Sequence, residues 1–153
     1  MRLIAHRGLL HGPNHTKENR SITVMAALER EFEVEVDVWY VDGKWWLGHN
    51  HPLEEVPLGF LENPAIWVHC KNTEALRNAT SGMHHFWHER DNYTINSQGF
   101  IWVYPGCGLP VPRPTVAVVT GKHDGELLSA MAQIGVAGIC TDWPARMLKG
   151  VWT

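Results

Sequence analysis

Eight short apolar runs, each soon closed by glycine, proline or a polar residue, are spread over a chain of only 153 residues. They cover 2–6, 33–38, 65–70, 83–88, 93–96, 101–104, 115–120 and 138–142, and their β-branched and aromatic content reads as strands. Helical patterns lie between some of them. Ile22, Met25, Ala26 and Leu28 recur at helical spacing, "NTEALRNATS" opens on Asn72 or Thr73 as a cap, and "DGELLSAMAQIGVA" precedes the last run. Strands alternating with helices build a parallel sheet, and eight such units a closed barrel. Yet eight units leave about 19 residues each, where an ordinary barrel of this type uses roughly 250 in all. The expectation is a single domain over 1–153, a minimal (β/α)8 TIM-type barrel with several helices shortened or replaced by loops. "DGKWWLGH" adds a hairpin turning at Asp42-Gly43.

Composition removes several functions. A net charge of −3 and a pI near 6.3 argue against nucleic acid as a partner, which would call for a basic stripe. No apolar run approaches the roughly 20 residues of a membrane span. The start, "MRLIAHRG", enters a strand at once and leaves no room for a signal peptide. Cys70, Cys107 and Cys140 are an odd, scattered set, unsuited to a disulfide framework or a zinc site. A cytoplasmic protein is expected. "YPGCGLPVPRPT" reads as a long loop, and "TGKHDG" lacks the spacing of a phosphate-binding P-loop.

The ionisable residues fall late in the strands: His6-Arg7 after the first, Glu35 and Asp37 in the second, His69 and Lys71 at the third, His88 and Asp142 further on. In a parallel barrel the C-terminal strand ends form the mouth where chemistry occurs. Residues i and i+2 of a strand share a face, so Glu35 and Asp37 project together. Two such carboxylates repel unless one is protonated or a cation lies between them. A hard divalent cation is one solution, and a half-exposed strand with its acids in water is the other.

The order "AHRG", "KENR", "EVDV", "LGHN" and finally "GICTDWP" resembles the glycerophosphodiester phosphodiesterase family. The resemblance is dense over residues 3–50, sparse at 65–72, and returns at 138–144. It implies a βα barrel and hydrolysis of a small glycerophosphodiester, usually with a divalent metal, here Mg²⁺ or Ca²⁺ with Mn²⁺ as an alternative. It implies that His6 and His49 are the acid/base histidines and that Glu35 and Asp37 are metal ligands. Glu18 and Asn19 support the site, while Arg7 and Lys71 attend the phosphate. There are departures. The family's further glutamate ligand is replaced by His69, the residue after His49 is Asn50 rather than aspartate, and the chain is short.

His69 removes one negative charge and offers a softer nitrogen ligand; it would otherwise contact phosphate, or simply be hydrogen-bonded in the mouth. His11, His15 and His51 read as solvent-facing. His88 suits the pocket wall, and Trp102 and Tyr104 share a face that lines either the mouth or the core. The residues support a metal-dependent phosphodiesterase first. A metal-independent phospholipase-C-like lyase using His6, His49, Arg7 and Lys71, or a degenerate barrel that binds a phosphorylated ligand or partner, are the alternatives. Few covering helices leave strand faces bare, which would suit a homo-oligomer.

Overall fold

The structure is a computed structural model that describes residues 1–108, 114–121 and 125–149, the side chains of 127, 128 and 149 excepted. Parts of the two glycine-rich stretches noted above, 109–113 and 122–124, therefore lie outside the described residues.

Strands β1 (Arg2–His6), β2 (Glu33–Val41), β3 (Lys44–Leu47), β4 (Glu54–Val56), β5 (Ile66–Cys70), β6 (His84–Trp87), β7 (Tyr93–Ile95), β8 (Ile101–Val103), β9 (Thr115–Val119) and β10 (Gly138–Thr141) belong to one sheet. Helices α1 (Ser21–Leu28), α2 (Leu58–Leu61), α3 (Thr73–Asn78), α4 (Gly125–Ile134) and α5 (Pro144–Lys149) accompany them. All eight expected strands form. The antiparallel arm β3–β4 adds two more, of which β4 had no forecast, nor did the single turn α2. Among the described residues no helix lies between β6 and β9, where the chain was judged too short to hold one.

The parallel order β6-β5-β2-β1-β10-β9-β8 contains the crossovers, and β7 closes the far edge antiparallel to β8. The sheet curls into a half barrel. Phe86 of β6 and Trp102 of β8 lie at opposite ends of that order, yet their ring centroids are 4.7 Å apart. No ladder joins β6 to β7 among the described residues. Four hydrogen bonds bridge the gap instead: Ser97 N to His85 O at 2.8 Å, His85 N to Ser97 Oγ at 3.0 Å, Ser97 Oγ to Met83 O at 3.0 Å, and Thr94 Oγ1 to Trp87 O at 2.8 Å.

Alternation along each strand divides the apolar residues into an inside and an outside. Ile4, Trp67, Phe86, Trp102, Val116 and Cys140 fill the concave side below the strand ends. On the outer face of β1, β2 and β5, a larger core packs Val34, Val36, Val38, Ile66 and Val68 under α1, the β3–β4 arm, α2 and α3. Ala117, Val119, Val136 and Ile139 pack outside β9 and β10 against Met131 and Met147. Three of the strongest contributors to burial are thus tryptophan and phenylalanine rings that plug the interior, each worth about 2–3 kcal/mol of transfer free energy.

β2 is long because it serves two partners. Its first half pairs with β1 and β5; its last four residues turn at Asp42-Gly43 and pair with β3. Both turn residues have positive φ, 51° and 78°, the signature of the tight hairpin turn that Asp-Gly favours. Asn72 secures the other side. Its Oδ1 accepts from Ala75 N at 3.0 Å, capping α3, and from Tyr40 N at 3.1 Å, while Nδ2 donates to Tyr40 O at 2.9 Å. Replacing Asn72 by alanine should lower stability by about 2–3 kcal/mol in urea unfolding. Asn72→Asp, which keeps the cap and loses the amide donor, should fall between that variant and the parent.

Candidate active site

At the C-terminal ends of the parallel strands a cleft of about 430 Å³ opens, lined by His6, Arg7, Glu35, Asp37, His49, His69, Lys71, Trp87, His88, Trp102 and Tyr104 among others. Of the eight residues expected to act as acid/base, phosphate-binding or metal-binding groups, seven meet there. The eighth, Glu18, stands behind Arg7, its carboxylate 3.1 Å from Nη1.

Registry explains the convergence. Parallel pairing sets His6 beside Glu35 and Asp37 beside His69. The hairpin then folds back so that Gly48 N bonds Asp37 O at 3.0 Å, and the next residue, His49, brings Nδ1 to 3.0 Å from Asp37 Oδ2. Gly48 is required: its φ is 149°, and a Cβ would sit 2.1 Å from His51 O.

Asp37 is 1 % exposed and is surrounded by donors. Oδ2 receives Asn19 Nδ2 at 2.9 Å and lies 3.0 Å from both Arg7 Nε and His49 Nδ1. Oδ1 lies 3.0 Å from His69 Nδ1 and 3.6 Å from Lys71 Nζ. Burial opposes its charge, but the His49 and His69 hydrogen bonds and the nearby cations outweigh it and hold the carboxyl well below its ordinary value. Arg7 and Asn19 both have a φ of 52°, a left-handed conformation that costs non-glycine residues about 1 kcal/mol or more. They are tied together by Asn19 N to Arg7 O at 3.1 Å, and Asn19 Oδ1 accepts the Asp37 amide at 2.9 Å.

Glu35 has the opposite character. It is 3 % exposed and accepts from the Arg7 amide at 3.2 Å, while the imidazoles of His6 and His69 approach no closer than 3.9 Å. Burial and the charge of Asp37 push its carboxyl up. A cation would relieve this buried, thinly compensated group. Glu35, Asp37 and His69 supply one ligand atom each, all within 4.8 Å of one another, and so fit a divalent ion. His69 is oriented for it: Nε2 contacts His88 O at 3.0 Å, leaving Nδ1 toward the acids, and Phe86 stacks on the ring.

The sequence marks Asp142 as a late residue of the last strand but does not reveal its pairing with His6. Asp142, just past β10, places Oδ1 2.7 Å from His6 Nδ1, and its Oδ2 accepts Gly121 N at 2.8 Å. The signal was available only through topology: the first and last strands are neighbours, Ala5 opposite Thr141. Burial alone would lower the basicity of His6, but the Asp142 hydrogen bond and the Glu35 charge prevail and raise it. Burial would likewise raise Asp142, and the bond from His6 instead holds it below its ordinary value.

The signs fix a pH window. The raised His6 contributes stability that is present below its unfolded pKa, about 6.5, and lost as pH rises through the higher folded value. The lowered Asp142 contributes above its unfolded pKa, about 3.9, and loses that contribution as pH falls through the folded one. In chelator-treated protein, Asp142→Asn should cost about 1–3 kcal/mol between roughly pH 4 and 6.5, with the difference from the parent shrinking at higher pH. Urea unfolding from pH 3 to 9 checks this; a difference independent of pH would refute it.

No protein-family model and no curated protein matches the sequence. Among solved structures, a crystal structure of glycerophosphodiester phosphodiesterase from Agrobacterium tumefaciens str. C58 matches with a TM-score of 0.58 and 14% identity, covering 95% of this chain and 96% of that one. No helix among the described residues is long and apolar enough to cross a membrane. The mixed α/β half barrel, with its polar cleft at the strand ends, is therefore similar in fold to a glycerophosphodiester phosphodiesterase over nearly its whole length.

Proposed function

We propose that this chain is a metal-assisted phosphodiesterase acting on a small glycerophosphodiester-like substrate. Its scaffold is a minimal barrel in which the bridged gap between β6 and β7 stands where one more ladder would close the circuit. The observation that carries the reading is the convergence in one cleft of a three-residue ligand set, two imidazoles and two cationic side chains. The phosphodiesterase named among its fold neighbours supports it.

Hydrolysis of a diester forms a bond from water oxygen to phosphorus and breaks the bond to the departing alkoxide. One proton must leave the water, and one must reach the alkoxide. Arg7 and Lys71 supply the fixed positive charge that seats the phosphate, with Glu18 holding the guanidinium from behind. Glu35, Asp37 and His69 would hold the ion; two carboxylates suit Mg²⁺ or Ca²⁺, and the imidazole turns the preference toward Mg²⁺ and Mn²⁺. Such an ion, when bound, supplies Lewis-acid neutralisation of phosphoryl charge.

Asp142 fixes Nδ1 of His6, so Nε2 is the atom that exchanges a proton. In His49, Nδ1 lies 3.0 Å from Asp37 Oδ2 and 2.8 Å from Arg7 Nη2, and Nε2 lies 3.2 Å from the same Nη2, which an arriving phosphate would draw away. The two imidazoles thus serve the two transfers, one as base and one as acid.

A second reading rests on Asp37 alone. Its charge is already matched by Arg7 and Lys71, as a metal-independent lyase would require, with a neighbouring substrate hydroxyl as nucleophile. Hydrolysis of bis(p-nitrophenyl) phosphate and of glycerophosphodiesters separates them. Turnover should vanish in EDTA, return with Mg²⁺ or Mn²⁺, and fall about 10²- to 10⁴-fold in His6→Ala. Glu35→Ala should abolish the metal response. Turnover indifferent to EDTA and to Glu35→Ala would favour the lyase, and full activity in His6→Ala would reject both.

A further inference from the structure

The wall of the cleft beyond His69 carries a second imidazole–carboxylate pair that no step above uses. His88 follows β6, and alternation from Phe86 turns it inward. It is 8 % exposed, with Nδ1 2.7 Å from Asp91 Oδ2. Asp91 Oδ1 also accepts the Glu89 amide at 3.1 Å, so the short 88–91 loop holds its carboxylate in place. The slight burial of Asp91 opposes its charge, but the bonds from His88 and the backbone hold the carboxyl below its ordinary value. An ionised carboxylate only accepts, so Nδ1 carries the proton, and in the neutral ring Nε2 is a bare acceptor.

That Nε2 is buried and has no hydrogen-bond partner among the described residues. A buried polar atom left unpaired is costly and rare, and here a dedicated carboxylate fixes the ring that presents it. The ring centroid lies 6.0 Å from that of His69 and 4.8 Å from that of Tyr104, a half-exposed side chain tilted across it on the cleft side. His88 thus stands one side chain beyond the acid cluster, on the wall of the cleft that also holds Arg7 and Lys71.

We propose that His88 Nε2 accepts a hydrogen bond from a hydroxyl on the alcohol portion of the substrate, which selects esters of polyols over simple alkyl esters. The inference rests on the proposed function only in placing the phosphate at Arg7 and Lys71. An alkyl group in that position would leave Nε2 buried and unpaired, and a site built to pair a hydroxyl discriminates strongly against its absence. His88 is here a substrate-binding residue, not one that moves a proton.

Isothermal titration of the metal-loaded protein with 3-hydroxypropyl phosphate and with propyl phosphate tests it, because binding is read without turnover. The parent should bind the hydroxylated ester about tenfold more tightly. His88→Phe should bring the ratio to about one. Asp91→Asn, a change at an exposed residue that frees the ring's tautomer, should lower the ratio partway and serves where His88→Phe does not fold. Equal affinities in the parent, no binding of either ester, or a ratio that survives both variants would overturn the proposal. So would a parallel loss of both ligands with the ratio intact, since His88 would then only position His69 through its carbonyl. Hydrolysis of bis(p-nitrophenyl) phosphate by the parent, run beside the titrations, reports on the phosphodiesterase reading alone: an intact ratio without turnover would reject that reading and sustain this one.

Discussion

The upper half of this molecule is organised around one buried carboxylate. Asp37 gathers Arg7, Asn19, His49, His69 and Lys71 from four separate stretches of chain, each within 3.6 Å of one of its oxygens. An isolated carboxylate at that depth would be untenable; ringed by donors it becomes the group on which every neighbour's position depends. Two of those neighbours hold left-handed backbone conformations that only such over-determined contacts maintain. Glu35, one pleat below, lacks that ring, and the contrast between two carboxylates two residues apart is what gives the cleft a place for a cation.

Much of this was legible because strand geometry is periodic. A Glu-x-Asp spacing places both acids on one face whatever the tertiary structure, and an Asp-Gly turn returns the chain so that His49 comes back beside Asp37. The eight strands were legible for the same reason. What could not be read are contacts fixed by which strand neighbours which. Asp142 meets His6 across 136 residues, and nothing local to either announces it. Glu54 is similar. From β4 it accepts from the backbone and hydroxyl of Ser21, opening α1 in place of a local cap, since Arg20 at the cap position makes no side-chain bond to the helix.

The three strands after α3 were expected as units too short for helices, and their chemistry was harder to read than their existence. In "MHHFWHE" the histidines sit at mixed parity, so alternation alone does not say which face is the core. The structure resolves it through stacking: Phe86 lies between His69 and Trp102, which fixes the inward phase and carries His88 with it. Four aromatic rings, Trp67, Phe86, Phe100 and Trp102, meet here and fill the concave side of the half barrel.

A ladder that runs unbroken round a barrel fixes its girth, because strand number and stagger leave no slack. Here the circuit ends in two margins, β6 and β7, fastened by four separate hydrogen bonds, three of which engage side-chain hydroxyls. Such fastenings give way one at a time, whereas a ladder opens cooperatively. The circumference is therefore adjustable at one meridian, and that meridian lies next to His88 rather than next to Asp37. The half of the cleft that holds charge is framed by continuous parallel pairing, while the other half is framed by separate fastenings.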